Sequence, residues 1–265
     1  MIQFSGRAKS FWRMPLSNLK QTVVFVGGAG RSGTHHLGRI LGDHPQTKLR
    51  LEKKLTFTPI SQSIAHNKFK SKKVTLALRY LRLCSKLTSK VVVEKTHPSV
   101  WIFDQIVKEL PGAKLIAITR NPYEVVASMK KHEGVQRWYK EVDITASNPF
   151  LGITEANRSN FNNLSSIEQF THKWIAHYEQ VQKLQNSFPN QVQSIHFDNL
   201  IKNTQKTYEG VCSFIGLDQK QKLGVQSDES RLLGHRALQG NDAKKVHDVL
   251  EQSAVPKSMY KLPSQ

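Results

Sequence analysis

The sequence predicts an α/β fold: a single domain with a central parallel sheet flanked by helices. Three observations carry this. Short continuous apolar runs recur along the chain, the pattern of strands buried on both faces. Stretches of helical spacing separate them, and strands alternating with helices build a doubly wound sheet. At 265 residues the chain is also long enough to bury one substantial core.

Residues 1–20 read as a basic leader and residues 21–265 as the domain. The run 22–26 is the first strand and ends in glycines; 91–93, 115–118 and 192–197 are the next three. Leu76, Tyr80, Leu83 and Leu87 recur at helical spacing and predict an amphipathic crossover helix over 74–87. Further helices are expected over 100–110 and 123–131. Residues 133–164 lose periodicity and gather Asn, Ser, Gly and Pro, which predicts a long loop or lid beside a site. Ser165 and Glu168 form a capping box for a long helix to about residue 186, and Gly216 caps a helix over 203–215.

Lys and Arg number 39 against 20 Asp and Glu, a formal net charge of +19, so the surface attracts polyanions. A nucleotide, an anionic acceptor, nucleic acid or a membrane surface would each answer that charge. No apolar run approaches the length that spans a bilayer. The two cysteines, Cys84 and Cys212, fall in predicted helices, which argues against a disulfide framework and for a reducing, cytoplasmic compartment.

Gly27-Gly28-Ala29-Gly30-Arg31-Ser32-Gly33-Thr34 joins the first strand to a helix. Glycines there let backbone amides approach an oxyanion, and the helix start adds its dipole. The layout is that of a nucleotide-binding P-loop, yet Thr34 and His35 follow Gly33 where a P-loop has Lys and Ser or Thr, and the cation stands earlier, at Arg31. The strand over 115–118 runs into Thr119-Arg120 rather than a magnesium-holding Asp, which disfavours a P-loop kinase.

The string GGAGRSGTHHLGRIL resembles the phosphosulfate-binding loop of the sulfotransferases that use 3′-phosphoadenosine 5′-phosphosulfate (PAPS), especially bacterial and Golgi members with Arg-Ser-Gly-Thr. A second segment, ITRNPYEVVASMKKH, is similar to the family's 3′-phosphate site, and IHFDNLIKNTQKTYEGVCSFIGL to a later stretch. The resemblance covers about residues 21–217, with a faint echo at 235–242. It implies donor contacts from Gly30, Arg31, Ser32, Gly33, Thr34 and His35, from Arg120 and Ser128 eight positions on, and from Phe197 stacking on adenine. It implies PAPS as donor and no metal.

Sulfuryl transfer needs a base for the acceptor and cations for the transferring group. The strand over 91–93 runs into Glu94-Lys95-Thr96-His97. By resemblance to cytosolic members, His97 is the base and Lys95, with Arg31, stabilises the sulfuryl group; bacterial and Golgi members use a glutamate, for which Glu52 stands. The preferred base is His97. The acceptor is expected to be a small molecule or saccharide hydroxyl or amine, with basic flanks pointing to an anionic one. A nucleic-acid-binding protein on the same fold is the rival reading; its support is Lys68, Lys70, Lys72, Lys73, Arg79 and Arg82, but aromatic platforms are sparse.

Overall fold

The structure is a computed structural model and describes residues 22–88, 90–142, 144–219, 223 and 237–260. The leader at 1–20 and the first two residues of the 235–242 segment lie outside the described residues. The central strand β1 (Val23–Gly28) pairs in parallel with β3 (Val91–Lys95) on one side and β4 (Lys114–Thr119) on the other; β2 (Thr47–Leu51) and β5 (Val192–His196) complete the sheet in the order β2-β3-β1-β4-β5. The strands at 22–26, 91–93, 115–118 and 192–197 are thus found. The edge strand β2 was not foreseen, because Lys48 and Arg50 interrupt its apolar character.

Alternate residues of β1 serve two cores. Val23 and Phe25 pack with Val92, Leu115 and Ala117 beneath α2 (Lys54–Ala65), α3 (Lys72–Lys86), α4 (Phe103–Glu109) and the far half of α7 (Ser166–Ser187). Val24 and Val26 pack with Val93, Ile116 and Ile118 against α1 (Thr34–Gly42), α8 (Phe197–Lys202) and α9 (Thr204–Ile215). The inner strands therefore carry apolar side chains to both faces over most of their length, which is why residues 23–26, 91–93 and 115–118 read as continuous runs. A third cluster joins α5 (Pro122–Lys130), α7 and α10 (Gly240–Glu251).

The crossover helix α3 turns its predicted apolar line outward. Val74, Ala77, Leu78 and Leu81 are buried, whereas Leu76, Leu83 and Leu87 are exposed and Tyr80 is half-buried. Both lines have helical spacing; the one with the small Ala77 lies against the sheet.

Residues 133–164 also differ from the expected loop. They open with α6 (Glu133–Glu141), and the irregular remainder is anchored rather than free. Phe150, Leu151, Ile153 and Phe161 are buried in the core. Asn148 Nδ2 donates to the Ala65 carbonyl at 2.7 Å, and the Tyr139 hydroxyl to the Leu151 carbonyl at 2.9 Å. Gly152, at φ 82°, lies so close to the backbone of His172 and Lys173 that a Cβ would sit 2.4 Å from it. The Ser165–Glu168 capping box is present, and Gly216 ends α9 in the left-handed region.

A buried carboxylate ties the β2 edge to the rest. Glu94 is fully buried on β3 and accepts hydrogen bonds from Arg50 Nε (2.9 Å), Thr56 Oγ1 (2.7 Å) and Thr96 Oγ1 (2.9 Å), linking β2, α2 and β3. Removing it strands a guanidinium and two hydroxyls in the interior. Glu94→Ala is expected to cost about 3–5 kcal/mol of folding stability in urea denaturation at neutral pH; a loss below about 1 kcal/mol would show that Arg50 is solvated instead.

Candidate active site

Because the strands are parallel, their carboxyl ends share one edge of the sheet, and the chain's course reverses about β1, where open α/β sheets bind ligands. The β1–α1 loop lies there. Gly28 (φ 132°), Arg31 (φ 74°) and Gly33 (φ 95°) all take left-handed backbone, so the loop curls over the strand ends. Gly33 is required sterically as well, since a Cβ would come within 2.4 Å of the Phe197 ring. No side chain caps α1, so its first amides receive no side-chain capping hydrogen bond.

A cavity of about 320 Å³ opens beside this loop. Arg31, Gly33, Thr34 and His35 line it together with Arg120, Ser128 and Phe197, so the two sequence segments meet. Arg31 Nε donates to Ser128 Oγ at 3.0 Å across a sequence separation of 97. Arg120 follows β4; its guanidinium lies 4.3 Å from the Phe197 ring centroid and pairs with Glu124, and its carbonyl accepts from Trp174 Nε1 at 3.0 Å. Asn121 caps α5 through a hydrogen bond from Tyr123 N–H, and Pro122 starts the helix that carries Ser128.

Three predicted donor residues are placed otherwise than expected; the first, Gly30, does not line the cavity and lies against the His97 ring. Ser32 is fully buried, its hydroxyl without a hydrogen-bond partner, and it lines a small void beneath the loop with Trp174 and His177 rather than the cavity. The Phe197 ring is 1% exposed, wedged between Gly33 and Arg120, so it shapes the cavity wall and does not present an open face for stacking.

Three cavity residues went unread: His36, Arg39 and Glu124. His36 Nε2 is buried without a partner, and burial, reinforced by Arg39, pushes the imidazole down. The available signal was helical spacing, since 36 and 39 share a face of α1 and 124 stands one turn after Arg120.

The rival bases prove to be neighbours. Glu52 follows β2 with φ 43° and donates its N–H to the Lys95 carbonyl at 3.1 Å. Its carboxylate accepts from Lys95 Nζ, lies 3.4 Å from His97 Nδ1 and 3.5 Å from His35 Nε2. Burial would raise this carboxyl, but hydrogen bonds from His35, His97 and Lys95 hold it far below the usual carboxylate range. Lys95 is buried, which lowers its ammonium, while Glu52 sustains the charge.

His97 opens a 3₁₀ turn, His97–Trp101, and has one edge on Glu52. Its other nitrogen faces the loop: a Cβ on Gly30 would lie 3.7 Å from Nε2. Burial pushes the imidazole down to about 4, against the pull of Glu52 and with the help of the Lys95 charge. Helix α7 holds the turn from behind, where Trp101 Nε1 donates to His177 Nε2 at 3.0 Å and Gln180 Nε2 to the Val100 carbonyl at 2.9 Å. Lys173, one turn earlier and 3% exposed, has its ammonium 3.8 Å from the Phe150 ring centroid; burial lowers it to about 7.

The family model described as "Sulfotransferase family" matches residues 75–221, more than half the chain. The chain belongs to the sulfotransferase family. The matched stretch holds Lys95, His97, Arg120, Ser128 and Phe197; the loop and Glu52 precede it and join the site through the geometry above. A search of curated proteins finds no match. Solved structures share the fold: a sulfotransferase from Alicyclobacillus acidocaldarius (17% identity, 86% of this chain and 91% of that one, TM-score 0.55), and a sulfotransferase domain of the curacin biosynthetic pathway (15%, 91% and 99%, 0.59). So does sulfotransferase STF1 of Mycobacterium tuberculosis H37Rv (16%, 88% and 76%, 0.52).

A folded-state His97 below its unfolded value of about 6.5 means that the unfolded chain binds the extra proton. His97 therefore opposes folding increasingly as pH falls from about 6.5 toward about 4, and it is neutral at pH 7. Nitrogen-15 NMR of histidine-labelled protein is expected to show this ring neutral at pH 5.5, with the proton on Nδ1. A ring titrating near 6.5 would contradict the buried setting described here.

Proposed function

We propose that this sulfotransferase takes its sulfuryl group from PAPS and delivers it to a hydroxyl or amine, with an anionic saccharide as the favoured class of acceptor. The observation that carries the donor is one cavity whose walls bring together the loop cation Arg31, hydrogen-bonded to Ser128, and the strand-end cation Arg120. Such a cavity suits a nucleotide with separate 5′ and 3′ anionic groups. Arg39, His35 and His36 add positive or hydrogen-bonding character to the same walls. The basic surface, in a chain of net charge +19, supports the anionic acceptor.

In this reading the acceptor oxygen attacks the sulfur of PAPS, its proton passes to His97 Nε2, and the bond from sulfur to the bridging phosphate oxygen breaks, leaving 3′-phosphoadenosine 5′-phosphate (PAP). Glu52 holds the Nδ1 proton and so presents the Nε2 lone pair toward the loop, as the carboxylate does in a Ser-His-Asp triad. Lys95, kept charged by Glu52, and Arg31 offset charge that builds on the transferring oxygens. Glu52 thus serves as the positioning group for the base, which gives both candidates a role. A kinase reading lacks the P-loop Lys and the strand-end Asp.

PAP is expected to raise the melting temperature, and Arg120→Ala or Ser128→Ala to weaken PAP by about 10–100-fold, the worth of one charged hydrogen bond. Stabilisation by ATP with magnesium but not by PAP would sink the donor assignment. In single-turnover transfer of labelled sulfate, His97→Asn should lose about 10²–10⁴-fold, and Glu52→Gln should lose less. Full activity in the histidine variant with none in the glutamine variant would make Glu52 the base.

A further inference from the structure

Helix α3 is apolar on two sides, and only one of them meets the protein. Leu76, Leu83 and Leu87 stand 64%, 54% and 78% exposed, three of the four large apolar side chains so exposed among the described residues. At about 100° per residue these three fall within roughly 40° of one another on the helix surface. Lys72, Arg79 and Lys86 flank the line on one side and Lys73 on the other; with Arg82 the helix carries five Lys or Arg and no Asp or Glu. Of these, Arg79 pairs with Glu109 on α4 at 3.4 Å.

The charge selects the occupant. A second copy of this helix would set five cations against five, and like charges face to face repel. The segment at residues 1–20 holds Arg7, Lys9, Arg13 and Lys20 and no acidic residue, so it is no better matched. Nucleic acid would answer the cations but leave the leucines in water, and the helix offers no row of aromatic platforms. A surface that is anionic outside and apolar just beneath satisfies both sets of groups. We infer that α3 is a peripheral docking face for an anionic lipid bilayer, lying in the plane of the headgroups with Leu76, Leu83 and Leu87 inserted and its lysines and arginines among the lipid phosphates.

The test is sedimentation of the full chain with phosphatidylcholine vesicles containing about 30% phosphatidylserine, at roughly 100 mM salt. The wild type is expected to bind these vesicles and not pure phosphatidylcholine. The triple variant Leu76→Gln, Leu83→Gln, Leu87→Gln should bind about tenfold less or weaker still, with its melting temperature unchanged because the replaced side chains are exposed. Lys72→Gln, Lys73→Gln, Lys86→Gln should lower binding and its salt dependence. Undiminished binding by the leucine variant overturns the proposal, since the attraction would then come from another basic surface. Wild-type protein that leaves the vesicles in the pellet alone also overturns it, in favour of an acidic protein partner. So does a wild-type dimer in light scattering that Leu83→Gln dissociates.

Discussion

Parallel register is the constraint on which the rest of the molecule hangs. Gly28 pairs with Ile118, Val26 and Leu51 both pair with Lys95, and Thr119 pairs with His196. Each of these pairs is the last or next-to-last rung of its ladder, so the residues that leave the strands emerge together. Hence the loop at 27–34, Glu52, the Lys95–His97 stretch, Arg120 and Phe197 occupy one edge although they span 170 positions of sequence. No special contact between these segments is needed to gather them. The ladder does so, provided that the strands are buried on both faces and cannot slip.

The site is built from an excess of cations tempered by two carboxylates. Glu52 neutralises Lys95 and Glu124 pairs with Arg120, each at a place where a bare charge would face a poorly hydrated wall. Both carboxylates are themselves fixed, Glu52 by three donors and Glu124 on the first turn of α5. The cationic side chains are therefore already oriented, and less ordering would remain to be done on binding the proposed donor. Behind them, His177 and Gln180 of α7 brace the turn that His97 opens, while the imidazole itself is held by Glu52.

The inner sheet was legible because burial on both faces leaves unbroken apolar runs, and the segments that line the cavity because they resemble those of a known family and leave those runs at strand ends. What escaped depended on three-dimensional neighbours. Thr47–Leu51 reads as polar because Lys48 is exposed and Arg50 reaches Glu94, a partner 44 residues away. Ser32 looks like a donor ligand until the left-handed Arg31 turns its side chain beneath the loop. The helix over 74–87 has two apolar lines of equal spacing, and only the position of the sheet decides which is inside. Glu52 and His97 read as alternatives because sequence distance hid the hydrogen-bond distance between them.

Those same cations on β2 serve a purpose at the sheet's border. Both β2 and β5 are edges of the ladder, and an open edge is a template on which another unfolded or partly folded chain can add a strand. Lys48 projects into solvent and Arg50 is committed to the interior, so a chain approaching β2 would have to desolvate or displace charge before its backbone could pair. The polarity that disguises β2 as something other than a strand is thus also a guard against aggregation, at the one border of the sheet that carries Glu52 into the candidate site.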